Sequence, residues 1–458
     1  MEIILFILYL FGLFILFFRS KFFTVEGVKK LLLFFFWILK LIACICFYLI
    51  FNYHVPDKDA GATKDFFNSS AKLYWLHQRE PALFMDFMLG KSSNSEKYKE
   101  EAEKIGKKWY SGNENSLIND NRNVIRINTL LQFISFRCYS VHLLFMCFLS
   151  FVGSILLFKA FPKQGKKQIY AATVACFLIP SLLFWSVGIL KEPLIVLGLG
   201  GFLFYFREIT AKFSPLSLLL VILSSLLLLC VKIEIFVLVL PMVLVFFWCQ
   251  QKQRHIVLKY IAAIVFLSGF CLLSHLCFPE KQMDVVHAVT AQNQQFHNMP
   301  AKNSYFAAFN TPHLDGSIES LVKNIPLAVY NCITKPFAYP IDSFAKACMD
   351  IETVFLALLL AVCLIFGNYK RFSRNNFAIF ATIVCIYGFI LIGLTTHDME
   401  TIMRYKSLFL PFYVYGLIHL LDTDKVLFVF KFRKRRAKKN FDPLEDFEQK
   451  MTRMARGR

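Results

Sequence analysis

The sequence predicts an all-α integral membrane protein with about 11 transmembrane helices. Hydrophobic residues make up 57% of its 458 residues, 53 residues are Phe, and the mean hydropathy is +0.53. A single water-soluble core could not bury this much apolar surface. A transmembrane helix needs about 20 mostly apolar residues, and runs near that length recur along the chain. The predicted spans are residues 3–18, 31–51, 138–158, 169–190, 193–206, 216–231, 235–248, 256–277, 353–366, 377–394 and 408–421.

Basic residues fall on one side of the membrane when these spans are threaded in order. Cytoplasmic loops carry an excess of Lys and Arg. The pattern therefore predicts an outside N-terminus, a cytoplasmic C-terminus, and two large extracytoplasmic loops. The net charge of +20 then reflects topology and attraction to anionic lipid rather than nucleic-acid binding. The basic residues concerned are Arg19, Lys21, Lys29, Lys30, Lys159, Lys163, Lys166, Lys167, Lys252, Arg254, Lys370, Arg371, Arg374, Lys431, Arg433, Lys434, Arg435, Arg436, Lys438 and Lys439.

The threading divides the chain into six segments. They are the first two spans (1–51), a helical extracytoplasmic loop subdomain (52–137), the transmembrane core (138–277), the second extracytoplasmic loop (278–350), the C-terminal spans (351–423) and a basic cytoplasmic tail (424–458). Residues 68–89 have the amphipathic spacing of a helix. The loops contain no Gly-rich phosphate cradle, CxxC pair or HExxH helix. We therefore expect neither a cofactor nor a metal site.

Charged residues beside the predicted spans are the first candidates for a functional site, because charges in a membrane bundle are costly to insert. Lys191 and Glu192 follow a span that contains Pro180, and Pro193 can start the next helix. The free N–H groups at that helix end would favour an anion. A local ion pair in a tight turn is the alternative explanation.

Two further groups of charges fall on the same outer side. Lys232 and Glu234 separate two apolar runs. His397 lies in the short loop before the last span, and Arg404 and Tyr405 follow it. Arg offers a planar fork that suits phosphate oxygens, and His titrates nearest to neutral pH. An interfacial belt of aromatic and basic anchors would also explain these residues.

The long outer loops contribute weaker candidates. A polar residue in a loop of this length is most often solvated surface, and its role depends on its neighbours in space. The candidates are Asp57, Asp59, Arg126, Asn128, Arg137, His287, His297 and Lys335.

A set of short motifs runs through most of the chain. They are Asp57-Lys-Asp59-Ala, Arg126-Ile-Asn128, Phe151-Val-Gly153, Pro180-Ser-x-x-Phe-Trp-Ser-x-Gly-x-x-Lys-Glu, Lys335-Pro-Phe followed by Glu352, and Arg404-Tyr followed by Pro411-Phe. Together they resemble bacterial membrane proteins of the O-antigen polymerase-like group. In that group, Arg is usual at the positions of Lys335 and Lys406, so both departures keep the positive charge and lose the guanidinium fork.

The resemblance implies a GT-C-like helical bundle in the bacterial inner membrane that acts in surface polysaccharide assembly. It implies an inverting glycosyl transfer on the outer face, from a glycan on polyprenyl pyrophosphate to a sugar hydroxyl, with no nucleotide sugar and no required metal. The implied partners are that lipid-linked glycan, the lipid bilayer and other polysaccharide assembly proteins, and not nucleic acid.

Within this hypothesis the outer-face residues divide by chemistry. Cations would neutralise the departing pyrophosphate, and a carboxylate or imidazole would accept the proton of the acceptor hydroxyl. So many cations at one face would repel one another without an anion between them. The substrate-binding candidates are Lys191, Lys232, Arg404, Tyr405, Lys335, Arg137, Asp57 and Asp59, and the catalytic candidates are Glu192, Glu234 and His397.

Three alternatives stay open. The first is a GT-C glycosyltransferase that uses a polyprenyl-monophosphate sugar, with Asp57 or Asp59 as the base. The second is a lipid-linked glycan flippase or transporter, which predicts charges near the bilayer midplane and broken helices in paired positions. The third is a membrane-assembly protein with no chemistry of its own.

Overall fold

The computed structural model describes residues 2–54, 61–91, 95–110, 119–277, 284–298, 314–335, 344–396 and 399–426. Within these ranges the chain is helical and has no β-strand beyond two isolated bridges. Eight helices in the described ranges are long and apolar enough to cross a membrane. The prediction of an all-α membrane protein is therefore confirmed. Asp57, Asp59 and His397 lie outside the described residues, as does the tail after residue 426.

The helices are numbered here in chain order through the described ranges. They are α1 (Glu2–Arg19), α2 (Lys30–Leu49), α3 (Gly61–Arg79), α4 (Pro81–Leu89), α5 (Glu96–Ile105), α6 (Lys107–Tyr110), α7 (Asp120–Ser135), α8 (Tyr139–Ala160), α9 (Lys166–Phe177), α10 (Pro180–Trp185), α11 (Glu192–Ala211), α12 (Pro215–Gln251), α13 (Ile256–Cys277), α14 (Val285–Asn298), α15 (Ile318–Thr334), α16 (Phe344–Ile365), α17 (Tyr369–Phe372), α18 (Asn376–Thr395) and α19 (Met399–Leu420).

Two glycines allow a close contact between α8 and α11. The α8 and α18 helices are mostly buried, whereas α1 and α13 expose most of their apolar side chains. A Cβ added to Gly153 of α8 would lie 2.6 Å from the backbone of Leu197, and one added to Gly200 of α11 would collide with the carbonyl oxygen of Gly153. Small residues of this kind let membrane helices approach backbone to backbone.

The α12 helix is bent at Lys232, where the backbone leaves helical geometry (φ −161°, ψ 84°). Its first arm, before Lys232, packs on α11. A Cβ added to Gly198 of α11 would touch Leu228, and one added to Gly201 would touch Ser224. Because the later residue of α11 contacts the earlier residue of α12, this arm is antiparallel to α11.

The second arm of α12 packs on the same helix in the opposite sense. The rings of Phe202 and Phe236 lie 5.5 Å apart, and those of Phe206 and Phe247 lie 5.0 Å apart. Here the later residue of α11 contacts the later residue of α12, so the second arm is parallel to α11. The chain therefore reverses direction at Lys232, as expected for two separate runs at residues 216–231 and 235–248.

The predicted span at residues 169–190 is not one continuous helix. The α9 helix ends at Phe177, α10 begins at Pro180, and a buried non-helical stretch follows Trp185. Proline disfavours helical geometry in the residue before it, and Ile179 is extended (φ −78°, ψ 116°). This break brings a short irregular segment to Lys191, at the start of α11.

The α7 helix lies across one end of the bundle. Near its start, the Asn123 side chain donates to the carbonyl oxygen of Cys230 in α12 (3.0 Å). Asn128, in the middle of α7, and Ser135, at its end, hold the two ring nitrogens of His142 in α8 (2.8 and 3.1 Å). We call this the α7 end of the bundle. The opposite end, where α13 and α18 begin, is called the basic end.

Candidate functional site

Four helices bring charged side chains together at the α7 end. We call this group the charged cluster. It consists of Asp120 of α7, Lys191 and Glu192 at the start of α11, Lys232 and Glu234 at the bend of α12, and Glu400, Arg404 and Tyr405 in the first turns of α19.

Asp120 joins two lysines from different helices. Its Oδ2 atom lies 2.6 Å from Lys191 Nζ and 3.8 Å from Lys232 Nζ. Both lysine side chains are only 9% exposed, so the two ammonium groups are largely shielded from solvent. Burial by itself would raise the pKa of Asp120, but the charges of Lys191 and Lys232 outweigh it, and the pKa lies below its ordinary value. Asp120 is therefore ionised at neutral pH.

The position of Lys191 depends on tight packing just before α11. A Cβ on Gly188 would lie 2.5 Å from the ring of Phe47 in α2, so any larger residue would require that ring to move. The backbone N–H of Ile189 donates to the hydroxyl of Thr63 in α3 (3.3 Å). The irregular segment after α10 is thereby fixed between α2 and α3.

Arg404 pairs with two carboxylates. Its Nε lies 3.0 Å from Glu192 Oε1, and its Nη1 lies 3.4 Å from Glu400 Oε1. The side chain of Glu192 is fully buried. Among the described residues, its Oε2 atom has no hydrogen-bond partner. Removal of a buried carboxylate from water is costly, so Arg404 is the group that makes Glu192 tolerable at this position.

Lys232 faces a small cavity between α12, α14, α18 and α19. Its ammonium group lies 3.2 Å from Glu234 Oε1 and 5.4 Å from the ring centre of Tyr405. Gln292 and Thr395 also line the cavity. The cavity volume is about 20 Å³, close to the space that one water molecule needs. The cavity itself therefore has room for little more than water.

The charged cluster carries its own counter-ions. Four carboxylates face three cations, and each cation has a carboxylate oxygen within 3.4 Å. The sequence suggested cations that would need a bound anion to relieve their repulsion. In the structure, protein carboxylates supply that negative charge, and one of them, Asp120, was not among the predicted residues.

A second buried polar group lies beside the cluster, around α10. Glu352 of α16 accepts hydrogen bonds from the backbone N–H and the hydroxyl of Ser181 (2.7 and 2.6 Å). Lys406 donates to the carbonyl oxygen of Lys335 (3.0 Å). Lys40 donates to Ser186 just after α10 (2.9 Å). The bonds of Ser181 and Ser186 hold the broken segment in place, and the bond of Lys406 joins α19 to the end of α15. These contacts explain charges deep in the bundle without a substrate.

Several predicted residues lie away from the cluster. Arg137 stacks on Trp75 (4.2 Å to the ring centre), beyond the opposite end of α7 from Asp120. That helix has 16 residues, which separates its ends by roughly 24 Å. Arg126 of α7 donates to the carbonyl oxygen of Phe87 in α4 (2.8 Å).

The remaining predicted residues also differ in their surroundings. Asn128 binds His142 as described above, and His287 is exposed on α14. Lys335 is half-buried at the end of α15, and its carbonyl oxygen accepts from Lys406. His297 belongs to the last turn of α14. The structure thus brings Lys191, Glu192, Lys232, Glu234, Arg404 and Tyr405 together at one end of the bundle.

Asp120 is the important residue that sequence reasoning missed. It opens α7, where Asn119 caps the helix by accepting from the N–H of Arg122 (2.9 Å). An acidic residue in a first helical turn is common, because it complements the helix dipole. Nothing local distinguishes Asp120 from such a residue. Its role emerges only from contacts with Lys191 and Lys232, far along the chain.

Comparisons with family models, with curated proteins and with solved structures find no match to this chain.

Proposed function

We propose that the chain is a polysaccharide polymerase or ligase of the membrane glycosyltransferase type. It transfers a glycan from polyprenyl pyrophosphate to a sugar hydroxyl at the α7 end of the bundle. The observation that carries the proposal is that Lys191, Lys232 and Arg404 lie beside carboxylates at one end of the helical bundle. A polyprenyl carrier places its pyrophosphate at such an end while its tail stays in lipid.

The cations of the cluster fit the leaving group. A Lys ammonium has three N–H donors and an Arg guanidinium has five, more than the bonds to Asp120, Glu192 and Glu400 use. Donors therefore remain for phosphate oxygens. As the bond between the sugar and the pyrophosphate breaks, Lys191 and Arg404 stabilise the charge that develops on the departing phosphate.

Glu234 is the carboxylate placed to act as the base. It lines the cavity together with Lys232 and Tyr405, and its side chain is 35% exposed. The acceptor hydroxyl oxygen bonds to the sugar carbon as the pyrophosphate leaves, and its proton passes to Glu234. Glu192 is sealed from solvent beside Arg404, so it acts as a positioning residue that holds the guanidinium.

Substrate binding requires the small cavity beside Lys232 to widen. A cavity of about 20 Å³ cannot hold a pyrophosphate. Asp120 occupies the position on Lys191 that a phosphate oxygen would take, at 2.6 Å. We infer that the pyrophosphate displaces Asp120 from Lys191, and that α7 shifts with it. The carboxylate then competes with the substrate for the same cations.

In the membrane, this proposal places 11 spans in a GT-C-like bundle of the bacterial inner membrane. The two arms of α12 count as separate spans, α9 and α10 together form a broken one, and α19 is the last. The N-terminus lies outside, the C-terminus is cytoplasmic, and the α7 end faces outward.

We expect topology reporters to agree with this arrangement. Reporters fused at Ser92 and at Gln294 should read extracytoplasmic, and one fused after Lys439 should read cytoplasmic. Paired alkaline phosphatase and fluorescent protein fusions provide the measurement. Ser92 and Gln294 on opposite sides of the membrane would contradict the threading and remove the outer site.

The activity itself is tested on purified protein with a polyprenyl-pyrophosphate-linked oligosaccharide. We expect a ladder of longer glycans and release of free polyprenyl pyrophosphate in equal molar amounts to the bonds formed. Release of the carrier without glycan extension would indicate hydrolysis instead. The absence of both products, with a lipid-linked substrate known to be active, would contradict the proposal.

A lipid-linked glycan transporter is the second candidate. The break between α9 and α10 and the bend at Lys232 both put irregular backbone inside the bundle, as broken helices do in transporters. In the same purified system, a transporter would move labelled lipid-linked glycan across a vesicle membrane with no change in glycan length.

A further inference from the structure

A groove opens at the basic end, between the start of α13 and the loop before α18. Its volume is about 660 Å³. Six of the lining residues are His255, Val257, Leu258, Ile261, Ser373 and Arg374. The groove is far larger than the cavity at the α7 end, and it lies at the opposite end of α13.

The floor of the groove is apolar and continues into the exposed side of a helix. Leu258 and Ile261 are 64% and 49% exposed, and Val265 and Phe266 extend the same apolar surface along α13. This helix is one of those suited to cross the membrane. An acyl chain that lies along α13 would therefore enter the groove without crossing polar surface.

The rim of the groove is cationic. Arg374 and His255 line it, and Arg254 is exposed next to His255. Residues 249–262 and 366–376 contain Lys252, Arg254, Lys259, Lys370, Arg371 and Arg374 but no Asp or Glu. Unlike the charged cluster, these two segments contain no carboxylate of their own, and Asp422, which accepts from Asn368 (3.2 Å), does not line the groove.

The two walls of the groove are held together by a polar bridge. The hydroxyl of Tyr260 in α13 donates to Asn376 Oδ1 at the start of α18 (2.9 Å). The Nδ2 atom of Asn376 in turn donates to the carbonyl oxygen of Phe246 in α12 (2.9 Å). Lys259 is turned away, since it donates to the carbonyl oxygen of Lys252 (2.6 Å). The groove is thus preformed.

We propose that this groove binds an anionic phospholipid of the surrounding leaflet. The phosphate would lie between Arg374 and the Arg254–His255 pair, and one acyl chain would follow Leu258 and Ile261. Basic pockets between membrane helices favour such head groups. The apolar floor selects a lipid over a free phosphate, and the lack of acidic residues in the rim segments selects an anionic over a zwitterionic head group. The inference is independent of the glycosyltransferase proposal.

Native mass spectrometry of the purified full-length protein tests this site. The protein is titrated with phosphatidylglycerol, and the double variant Arg254→Gln with Arg374→Gln is compared with wild type. We expect the affinity for phosphatidylglycerol to fall on the order of tenfold or more, since each cation near an anionic head group contributes about fivefold. The matched control is Arg207→Gln with Lys212→Gln, which removes two exposed charges at the same end outside the groove, and it should bind as wild type.

Three outcomes would overturn the proposal. An equal loss of affinity in the control variant would show general attraction to the basic surface. Equal affinity for phosphatidylcholine would show that the groove does not distinguish an anionic from a zwitterionic head group. Displacement of the lipid by inorganic phosphate or glycerol phosphate at matching concentration would show a plain phosphate site.

Discussion

Replacement of Arg404 by alanine is expected to slow glycan transfer by about 100-fold or more, the effect of removing a preorganised group that stabilises charge in the transition state. The guanidinium is 10% exposed and lies 3.0 Å from Glu192. Arg404→Lys should recover only part of the rate, because an ammonium keeps the charge and loses the fork. The rate of glycan extension by purified protein is the measurement.

A loss of folding must be separated from a loss of chemistry in this variant. Without Arg404, the fully buried Glu192 has lost its cation, and breaking a buried pair costs about 3–5 kcal/mol. The double variant Arg404→Met with Glu192→Gln removes both charges, so we expect it to regain thermal stability while transfer stays low. Arg207→Ala, an exposed arginine at the basic end, is the matched control. Wild-type transfer by the double variant would contradict the role of Arg404.

Replacement of Gly200 by leucine is expected to abolish most folded protein. A Cβ at this position would collide with the Gly153 carbonyl oxygen and lie 2.9 Å from the backbone nitrogen of Leu157. These atoms belong to the backbone of α8 and cannot move aside as a side chain can, so the cost should exceed the roughly 1–3 kcal/mol typical of overpacking. The yield of monodisperse protein and its melting temperature provide the measurement.

The same substitution at Gly269 is the control for this prediction. A Cβ there has no atom within 4 Å, and α13 exposes most of its surface. We expect Gly269→Leu to melt close to wild type. A Gly200→Leu protein that melts within a few degrees of wild type would show that α8 and α11 can separate without loss of the fold.

The helices could be predicted from the sequence where the length of an apolar run alone determines the helix. The run at residues 256–277 is α13, and the run at 377–394 lies within α18. Lys232 and Glu234 do mark a reversal between two apolar arms. The region around Pro180 was less predictable, because apolar composition continues through it while proline geometry breaks the helix.

The charged cluster was only partly predictable. Threading put Lys191, Lys232 and Arg404 on one side of the membrane, and the structure brings them to one end of the bundle. Their counter-ion Asp120 could not be found in this way, because its partners lie 71 residues or more along the chain. The local sequence around Asp120 predicts only the start of a helix. The packing of α7 across the bundle is what makes Asp120 the counter-ion of Lys191 and Lys232.

Binding of polyprenyl pyrophosphate to the purified protein tests the central claim most directly. If the carrier displaces Asp120 from Lys191, then Asp120→Asn should bind it more tightly than wild type, because the competing carboxylate is gone. Arg404→Ala should bind it more weakly, and Glu234→Gln, which removes the carboxylate beside Lys232, should bind it at least as tightly as wild type while transferring no glycan. The account predicts this order of affinities in one titration series. Unchanged affinity in both Asp120→Asn and Arg404→Ala would contradict it and place the pyrophosphate site elsewhere.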